Sequence, residues 1–241
     1  MALAERERAT PGDVLRSLAF YGVFYGGSLL LVALAVLLLV LVPARFRAMA
    51  DAWSTFHRLC LGRVLGIRIA VYGELPTGPL LVACKHESFF EAIDMPKLVA
   101  NPAVFAKAEL MRLPLWGRAA AAYGLISVAR EDGAKTLRAM VAAAKQLSQE
   151  GRPLVIFPEG TRVPHGEQPQ LQAGFAGLYK LLALPVVPVA VASGSLYHRR
   201  WKRRGTIHVI IGGVIPAGLP RAEIEARVHA AINALNAAEP A

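Results

Sequence analysis

The fold is decided at Ala83-Cys84-Lys85-His86-Glu87-Ser88-Phe89-Phe90-Glu91, residues 83–91 of the chain. An apolar run over residues 79–84 leads into this stretch and predicts a buried strand. A serine followed by a carboxylate three residues later is typical of a helix start. The stretch therefore predicts a strand that passes directly into a helix, which is the repeating unit of an α/β protein.

His86 and Glu91 are five positions apart at this junction. A histidine just before a helix and an acid in its first turn can come within hydrogen-bond reach. Such a pair suits general-base catalysis, because the acid fixes the tautomer of the ring and stabilises the imidazolium. Two other interpretations stay open: Ser88 and Glu91 also form a capping box, and His86 is equally compatible with a structural loop histidine.

The composition and charge of the chain indicate which classes of partner the protein is expected to bind. The chain has 241 residues, enough for one α/β domain and an appendage, and a net charge of +10. The basic excess lies entirely in residues 43–241, and it suits a phosphate-rich partner: nucleic acid, an anionic lipid surface or a phosphorylated small molecule. Hydrophobic residues make up 55% of the chain. We interpret Cys60 and Cys84 as buried free thiols in a reducing compartment.

Residues 1–66 are predicted to anchor the protein to a membrane. Residues 17–42 carry no charge, and residues 29–42 are only leucine, valine and alanine, which favours a membrane-inserted helix over about residues 14–42. A second, amphipathic helix is expected over about residues 44–66, where it either lies on an anionic leaflet or packs on the domain. Five arginines between positions 45 and 68 place this side of the membrane in the cytoplasm.

Residues 67–241 are predicted to form an α/β domain with a mixed, mostly parallel sheet flanked by helices. Apolar runs and helical periodicity alternate along this part of the chain. Strands are expected over residues 67–72, 80–84, 103–106, 125–129, 154–157, 186–192 and 206–215, and the longer helices over residues 88–99, 132–149, 172–183 and 221–237.

Polar residues follow several of these strands. Phe157-Pro158-Glu159-Gly160-Thr161-Arg162 comes directly after one strand, and Arg130 ends another. Ligands of open α/β sheets bind beyond the carboxyl ends of the strands. Arginine offers a planar fork for phosphate, and glycine permits a close backbone approach. We therefore expect His86, Arg130 and Arg162 to meet at one sheet edge, with Lys107 as a further cation.

Four blocks of the chain, in order over about residues 65–215, resemble the glycerolipid acyltransferase family, especially the bacterial 1-acylglycerol-3-phosphate acyltransferases. His86 and Glu91 match the family's H-x-x-x-x-[D/E] pattern, although aspartate is commoner at the second position. Residues 124–130 resemble a second block that ends in a substrate-binding arginine. Residues 157–162 match the F-P-E-G-T-R block without change, and residues 184–189 resemble the proline-containing fourth block.

The resemblance implies a reaction and a role for each residue. His86 would deprotonate the 2-hydroxyl of lysophosphatidic acid for direct attack on an acyl thioester, either acyl-CoA or acyl carrier protein, and Glu91 would hold His86. Phosphatidic acid would be the product, with no metal, no cofactor and no covalent acyl-enzyme. The expected binding residues for the glycerol phosphate are Lys107, Arg130, Glu159, Gly160, Thr161 and Arg162.

The basic, aromatic stretch over residues 197–204 is interpreted as a headgroup-level loop on anionic lipid, and nucleic acid is not expected as a partner. Together with the arginines near the apolar helix, this places the protein at the cell inner membrane with its catalytic domain on the cytoplasmic face. Two rival functions remain. One is a same-family acyltransferase for another lysolipid such as lyso-ornithine lipid, and the other is a non-catalytic membrane lipid-binding protein.

Overall fold

A single seven-stranded sheet with helices on both faces organises the chain, as seen in a computed structural model that describes residues 9–112, 116–128 and 133–236. The strands are β1 (Ile67–Tyr72), β2 (Leu81–Cys84), β3 (Ala103–Lys107), β4 (Ile126–Val128), β5 (Leu154–Ile156), β6 (Val186–Ala192) and β7 (Gly205–Ile211). The helices are α1 (Pro11–Leu41), α2 (Pro43–Cys60), α3 (Phe89–Leu98), α4 (Ala108–Met111), α5 (Trp116–Tyr123), α6 (Gly133–Gln149), α7 (Gly174–Leu182), α8 (Gly194–Tyr197) and α9 (Arg221–Ile232), with a π-helical turn at Leu61–Leu65 after α2.

The strands lie in the order β1-β7-β6-β2-β5-β3-β4. Strands β6, β2, β5, β3 and β4 run parallel to one another, β7 runs antiparallel to β6, and β1 runs parallel to β7. The predicted mixed, mostly parallel sheet is therefore confirmed. All five parallel strands end at one edge of the sheet, and β7 and β1 begin there.

Strand β2 occupies the middle of the sheet because both of its faces are apolar. Leu80, Val82 and Cys84 face one core, which also contains Phe20 of α1. Leu81 and Ala83 alternate with them and face a second core, built largely with α7 and α9. A short strand buried on both faces is expected for a parallel sheet, since helices cover each face.

Helix α1 divides into a packed half and an exposed half. Phe20 and Phe24 are buried in the first core, whereas Leu29, Leu30 and Val40 are more than two-thirds exposed. Among the described helices, α1 is the one long and apolar enough to cross a membrane, and only 6% of its most apolar window is buried. This apolar helix indicates membrane association. The predicted domain boundary at residue 66 stays a prediction.

Helix α2 packs on the α/β part of the chain, which was one of the two alternatives left open by the sequence. Arg58 makes a bidentate ion pair with the buried Asp94 of α3, with both N–O distances at 2.7 Å. Ser54 Oγ donates to the carbonyl of Ile93 on the same helix. These contacts fix α2 to the helix whose first turn carries Glu91.

The element boundaries differ from the expected ones by a few residues. The helix expected over residues 172–183 is shorter, and the strand expected over residues 206–215 ends at Ile211. The junction expected over residues 129–132 lies outside the described residues. Cys60 and Cys84 are free and buried, as the sequence predicted.

Candidate active site

The strand β2 and the helix α3 bring His86 and Glu91 together. His86 Nδ1 lies 3.2 Å from Glu91 Oε2. The same Glu91 oxygen accepts the backbone N–H of Ser88 at 2.8 Å, and the Ser88 side chain accepts from the first turn of α3, which completes the capping box. The histidine contact and the capping box are alternatives in the sequence, but in the structure Glu91 makes both sets of hydrogen bonds.

The tautomer of His86 follows from this contact. An ionised carboxylate can only accept hydrogen bonds, so Nδ1 carries the proton and Nε2 presents its lone pair. The ring stacks on Phe157 with centroids 4.2 Å apart, and its side chain keeps 16% exposure, whereas Glu91 is fully buried. His86 is therefore held rigidly, with one ring nitrogen available as a base.

The loop after β5 lies against the end of β2. Its Val163 N–H donates to the carbonyl of His86 at 2.7 Å. Gly160 has a φ of +69°, a left-handed conformation that glycine adopts without strain. Thr161 and Arg162 are exposed, and the Arg162 guanidinium lies 4.1 Å above the centre of the Phe89 ring. The loop thus presents an arginine close to the first turn of α3.

Glu159, which the resemblance assigns to substrate binding, is buried and bonded to protein groups. It is 2% exposed, with Oε1 at 2.6 Å from Lys85 Nζ and Oε2 accepting the backbone N–H of His86 at 3.2 Å. Both carboxylate oxygens are thus occupied by protein donors. The predicted contact between Glu159 and substrate stays a prediction, and this geometry favours a positioning role for it.

Of the other two expected cations, Lys107 lies farther along the same edge. Lys107 is exposed at the end of β3, which β5 separates from β2. Two inter-strand spacings put its strand about 10 Å from β2. Arg130 lies outside the described residues, although β4, which precedes it, ends at this edge. Its role stays a prediction.

Sequence reasoning missed the polar residues that surround the pair: the buried Lys85, Glu87 and Ser193, and the partly exposed His165. Lys85 also donates to the carbonyl of Glu167 and to Asn233 Oδ1. Charged residues directly after a buried strand need partners inside the protein, so the positions of Lys85 and Glu87 in the sequence indicate buried polar contacts. Ser193 follows β6 as His86 follows β2, so the strand-end rule places it at the same edge, although the rule does not reveal its contact with Glu91.

The clustered carboxylates also control the thiol beside them. Burial and then the charges of Glu91, Glu159 and Glu87 raise the pKa of the Cys84 thiol well above its ordinary value. Because only a thiolate is a strong nucleophile, Cys84 stays inert despite its position next to the site.

The basic stretch over residues 197–204 contacts the packed half of α1. Lys202 is buried, with its ammonium 3.9 Å from the centre of the Tyr197 ring, and its backbone N–H donates to Ser17 at 2.8 Å. Arg200 and Arg204 are exposed. Lys202 therefore helps to fix α1 in place, and the backbone carbonyl of Arg200 accepts a hydrogen bond from Tyr21 of α1.

A histidine–carboxylate pair beside an arginine loop at the carboxyl edge of an α/β sheet suits an enzyme that transfers a group to or from a phosphorylated substrate. A model of the Acyltransferase family matches residues 68–192, more than half of the chain. The chain belongs to this family, which confirms the resemblance inferred from the four blocks.

Named relatives are consistent with this assignment. A 1-acyl-sn-glycerol-3-phosphate acyltransferase from Pseudomonas aeruginosa is 28% identical over 211 residues, which cover 85% of this chain and 82% of the relative. An enzyme of the same name from Helicobacter pylori is 34% identical over 45% of this chain and 46% of its own length. The crystal structure of the 1-acyl-sn-glycerophosphate acyltransferase PlsC from Thermotoga maritima superposes with a TM-score of 0.67 at 22% identity, covering 95% of this chain and 98% of that one. This last likeness concerns the fold.

Proposed function

We propose that this protein transfers a fatty acyl group from an acyl thioester to the 2-hydroxyl of lysophosphatidic acid, giving phosphatidic acid for phospholipid biosynthesis. The observation that carries the proposal is the His86–Glu91 hydrogen bond at the strand edge, which leaves Nε2 as a base near the Arg162 loop. The names of the Pseudomonas aeruginosa and Helicobacter pylori relatives support this acceptor.

The chemistry follows from the tautomer of His86. Nε2 accepts the proton of the 2-hydroxyl while the hydroxyl oxygen attacks the thioester carbonyl carbon. The tetrahedral intermediate then collapses, the C–S bond breaks, and the leaving thiolate takes the proton back from the imidazolium. Glu91 stabilises that imidazolium through Nδ1. A positioned base contributes roughly 10²–10⁴ in rate, and this route involves neither a metal nor a covalent acyl-enzyme.

The acceptor's phosphate is assigned to the cations along the edge. Arg162 lies over Phe89 in the first turn of α3, Lys107 ends β3, and Arg130 follows β4 in the sequence. Gly160 and Thr161 shape the loop so that backbone N–H groups can approach an anion. Glu159 holds this loop against the end of β2 through Lys85 and the backbone of His86.

Membrane attachment brings the site to its lipid substrates. In this proposal the exposed half of α1 enters the lipid, and the domain lies on the cytoplasmic face of the cell inner membrane. The apolar helix and the arginines that follow it support this orientation through the positive-inside rule. Arg200 and Arg204 are exposed and suit anionic headgroups, and Arg200 lies next to Tyr21 of α1. Charge reversal at these two arginines is expected to weaken binding to anionic vesicles but not to neutral ones. If the variant bound anionic vesicles as tightly as the wild type does, the stretch over residues 197–204 would not be a membrane contact.

An acceptor and donor panel tests the proposed reaction. The purified protein in mixed vesicles receives a labelled acyl group as acyl-CoA or as acyl carrier protein, together with lysophosphatidic acid, lysophosphatidylcholine or lyso-ornithine lipid. We expect labelled phosphatidic acid to dominate, and the two donors will be ranked by their rates. Transfer only to another lysolipid would overturn the acceptor, and no transfer from either donor would favour a lipid-binding protein.

A further inference from the structure

The carboxylate of Glu91 has a hydrogen-bond donor that the reaction described above does not use. Glu91 is fully buried, and its Oε2 accepts from the Ser88 backbone and from His86. Its other oxygen, Oε1, accepts a hydrogen bond from the hydroxyl of Ser193. Ser193 is also fully buried, and it lies more than a hundred residues away in the sequence, at the end of β6. Three donors therefore surround one carboxylate.

The direction of the serine hydrogen bonds is fixed by chemistry. A carboxylate only accepts, so the single proton of the Ser193 hydroxyl goes to Glu91. The Ser88 hydroxyl, 2.7 Å from Ser193 Oγ, must then donate to Ser193. Ser88 Oγ in turn accepts the N–H of Phe90 at 3.0 Å. The result is an ordered chain of donors that ends on Glu91, on the side opposite His86.

Glu87 holds Ser193 in this position. Its Oε2 accepts the backbone N–H groups of Ser193 and Gly194 at 2.9 and 2.7 Å, and its Oε1 lies 2.8 Å from Nδ1 of His165. The turn is also packed closely, because a Cβ added at Gly194 would lie 3.1 Å from Glu87 Oε2. The Ser193 hydroxyl is thus placed by a rigid backbone and has little freedom to turn away from Glu91.

We propose that Ser193 is a positioning residue for the acyl transfer, a proposal that rests on the function proposed above. Its hydroxyl fixes the plane of the Glu91 carboxylate and withdraws part of its negative charge from the side that faces His86. Without this donor, Glu91 attracts the proton on the imidazolium more strongly, so the base is protonated up to a higher pH. Glu91 also loses the contact that orients its other oxygen towards Nδ1.

The test measures kcat and KM for lysophosphatidic acid from pH 5 to 9 in wild type, Ser193→Ala and Ser193→Cys. In Ser193→Ala we expect kcat to fall about 10- to 100-fold, since a hydrogen bond to a buried charge is lost, with KM for the acceptor nearly unchanged. The acid limb of the kcat/KM profile, which reports the essential base of the free enzyme, should move to higher pH by about half a unit to one unit. Ser193→Cys has a weaker donor of similar size, so its shift should be smaller and in the same direction.

Ser195→Ala is the matched control, because Ser195 lies on the same turn and only its backbone carbonyl takes part in a described hydrogen bond, with Arg199. Its kinetics should equal those of wild type. An unchanged acid limb in both Ser193 variants, or a loss reproduced by Ser195→Ala, would overturn the positioning role. Absence of lysophosphatidic acid transfer by the wild type would instead overturn the proposed function, so the two failures are distinguishable.

Discussion

Removing one partner of the buried Lys85–Glu159 pair should destabilise the protein strongly. Both side chains are completely buried, with Lys85 Nζ 2.6 Å from Glu159 Oε1, and Lys85 also donates to Asn233 Oδ1 and to the carbonyl of Glu167. Breaking such a pair leaves an uncompensated buried charge, which costs about 3–5 kcal/mol. For a chain of this size, each kcal/mol lowers Tm by about 2–4 °C, so Lys85→Met and Glu159→Gln should each lower Tm by about 6–20 °C.

The assay is thermal unfolding in detergent of the two single variants, the double variant and a surface control. The double variant should lose less stability than the two single variants together, because no charge is left unpaired. The difference is expected to be about 0.5–3 kcal/mol in the free energy of unfolding. Arg221→Met removes an exposed pair with Glu225 and should cost less than about 1 kcal/mol. If Glu159→Gln left Tm unchanged but raised KM for lysophosphatidic acid, Glu159 would be a substrate contact and our interpretation would be wrong.

Three further predictions concern the loop, the N-terminal helices and pH. Arg162→Lys should raise KM for lysophosphatidic acid about tenfold, and Arg162→Ala more, because a lysine cannot bind phosphate bidentately; steady-state kinetics checks this. Gly27→Ala should lower Tm, since the added Cβ would lie 2.3 Å from the Phe56 ring, whereas Gly26→Ala, with open space, should be neutral or stabilising. Burial, and then Lys202 and Arg58, lowers the pKa of His57 to about 3. Between pH 6.5 and 3 the unfolded chain therefore binds more protons than the folded protein. Lowering the pH from 6.5 to 5 should reduce the free energy of unfolding of the wild type by about 2 kcal/mol, and His57→Phe should lack this loss when its unfolding is measured across the same pH range.

The sheet was predictable from the sequence because its strands are short apolar runs followed by polar residues. The run that ends at Cys84 is buried on both faces, and no helix of ordinary length fits between its flanking turns. The strand-end rule likewise located His86 and the loop at Arg162 at one edge. Local pattern sufficed here, because burial and chain direction determine where each strand ends.

The buried polar contacts around His86 and Glu91 were not predictable in the same way. The contact between Ser193 and Glu91 joins residues 102 positions apart, so no local pattern reveals it. Glu159 and Lys202 look like exposed charges in the sequence, yet both are buried. Glu159 pairs with Lys85, 74 positions away, and Lys202 donates to the nearby carbonyl of Tyr197 while its backbone is bonded to Ser17 of α1. Such positions depend on the tertiary pairing of strands and on the packing of α1, which periodicity does not encode.

The central claim is that His86, held by Glu91, is the base for acyl transfer to lysophosphatidic acid. The most direct measurement is kcat/KM for this acceptor in wild type, His86→Ala and His208→Ala, with vesicle binding measured in parallel. His208 lies on β7, where its ring stacks on Tyr72. We predict at least about a hundredfold loss in His86→Ala, with unchanged vesicle binding, and wild-type activity in His208→Ala. Phosphatidic acid formation by His86→Ala at the wild-type rate would contradict the account.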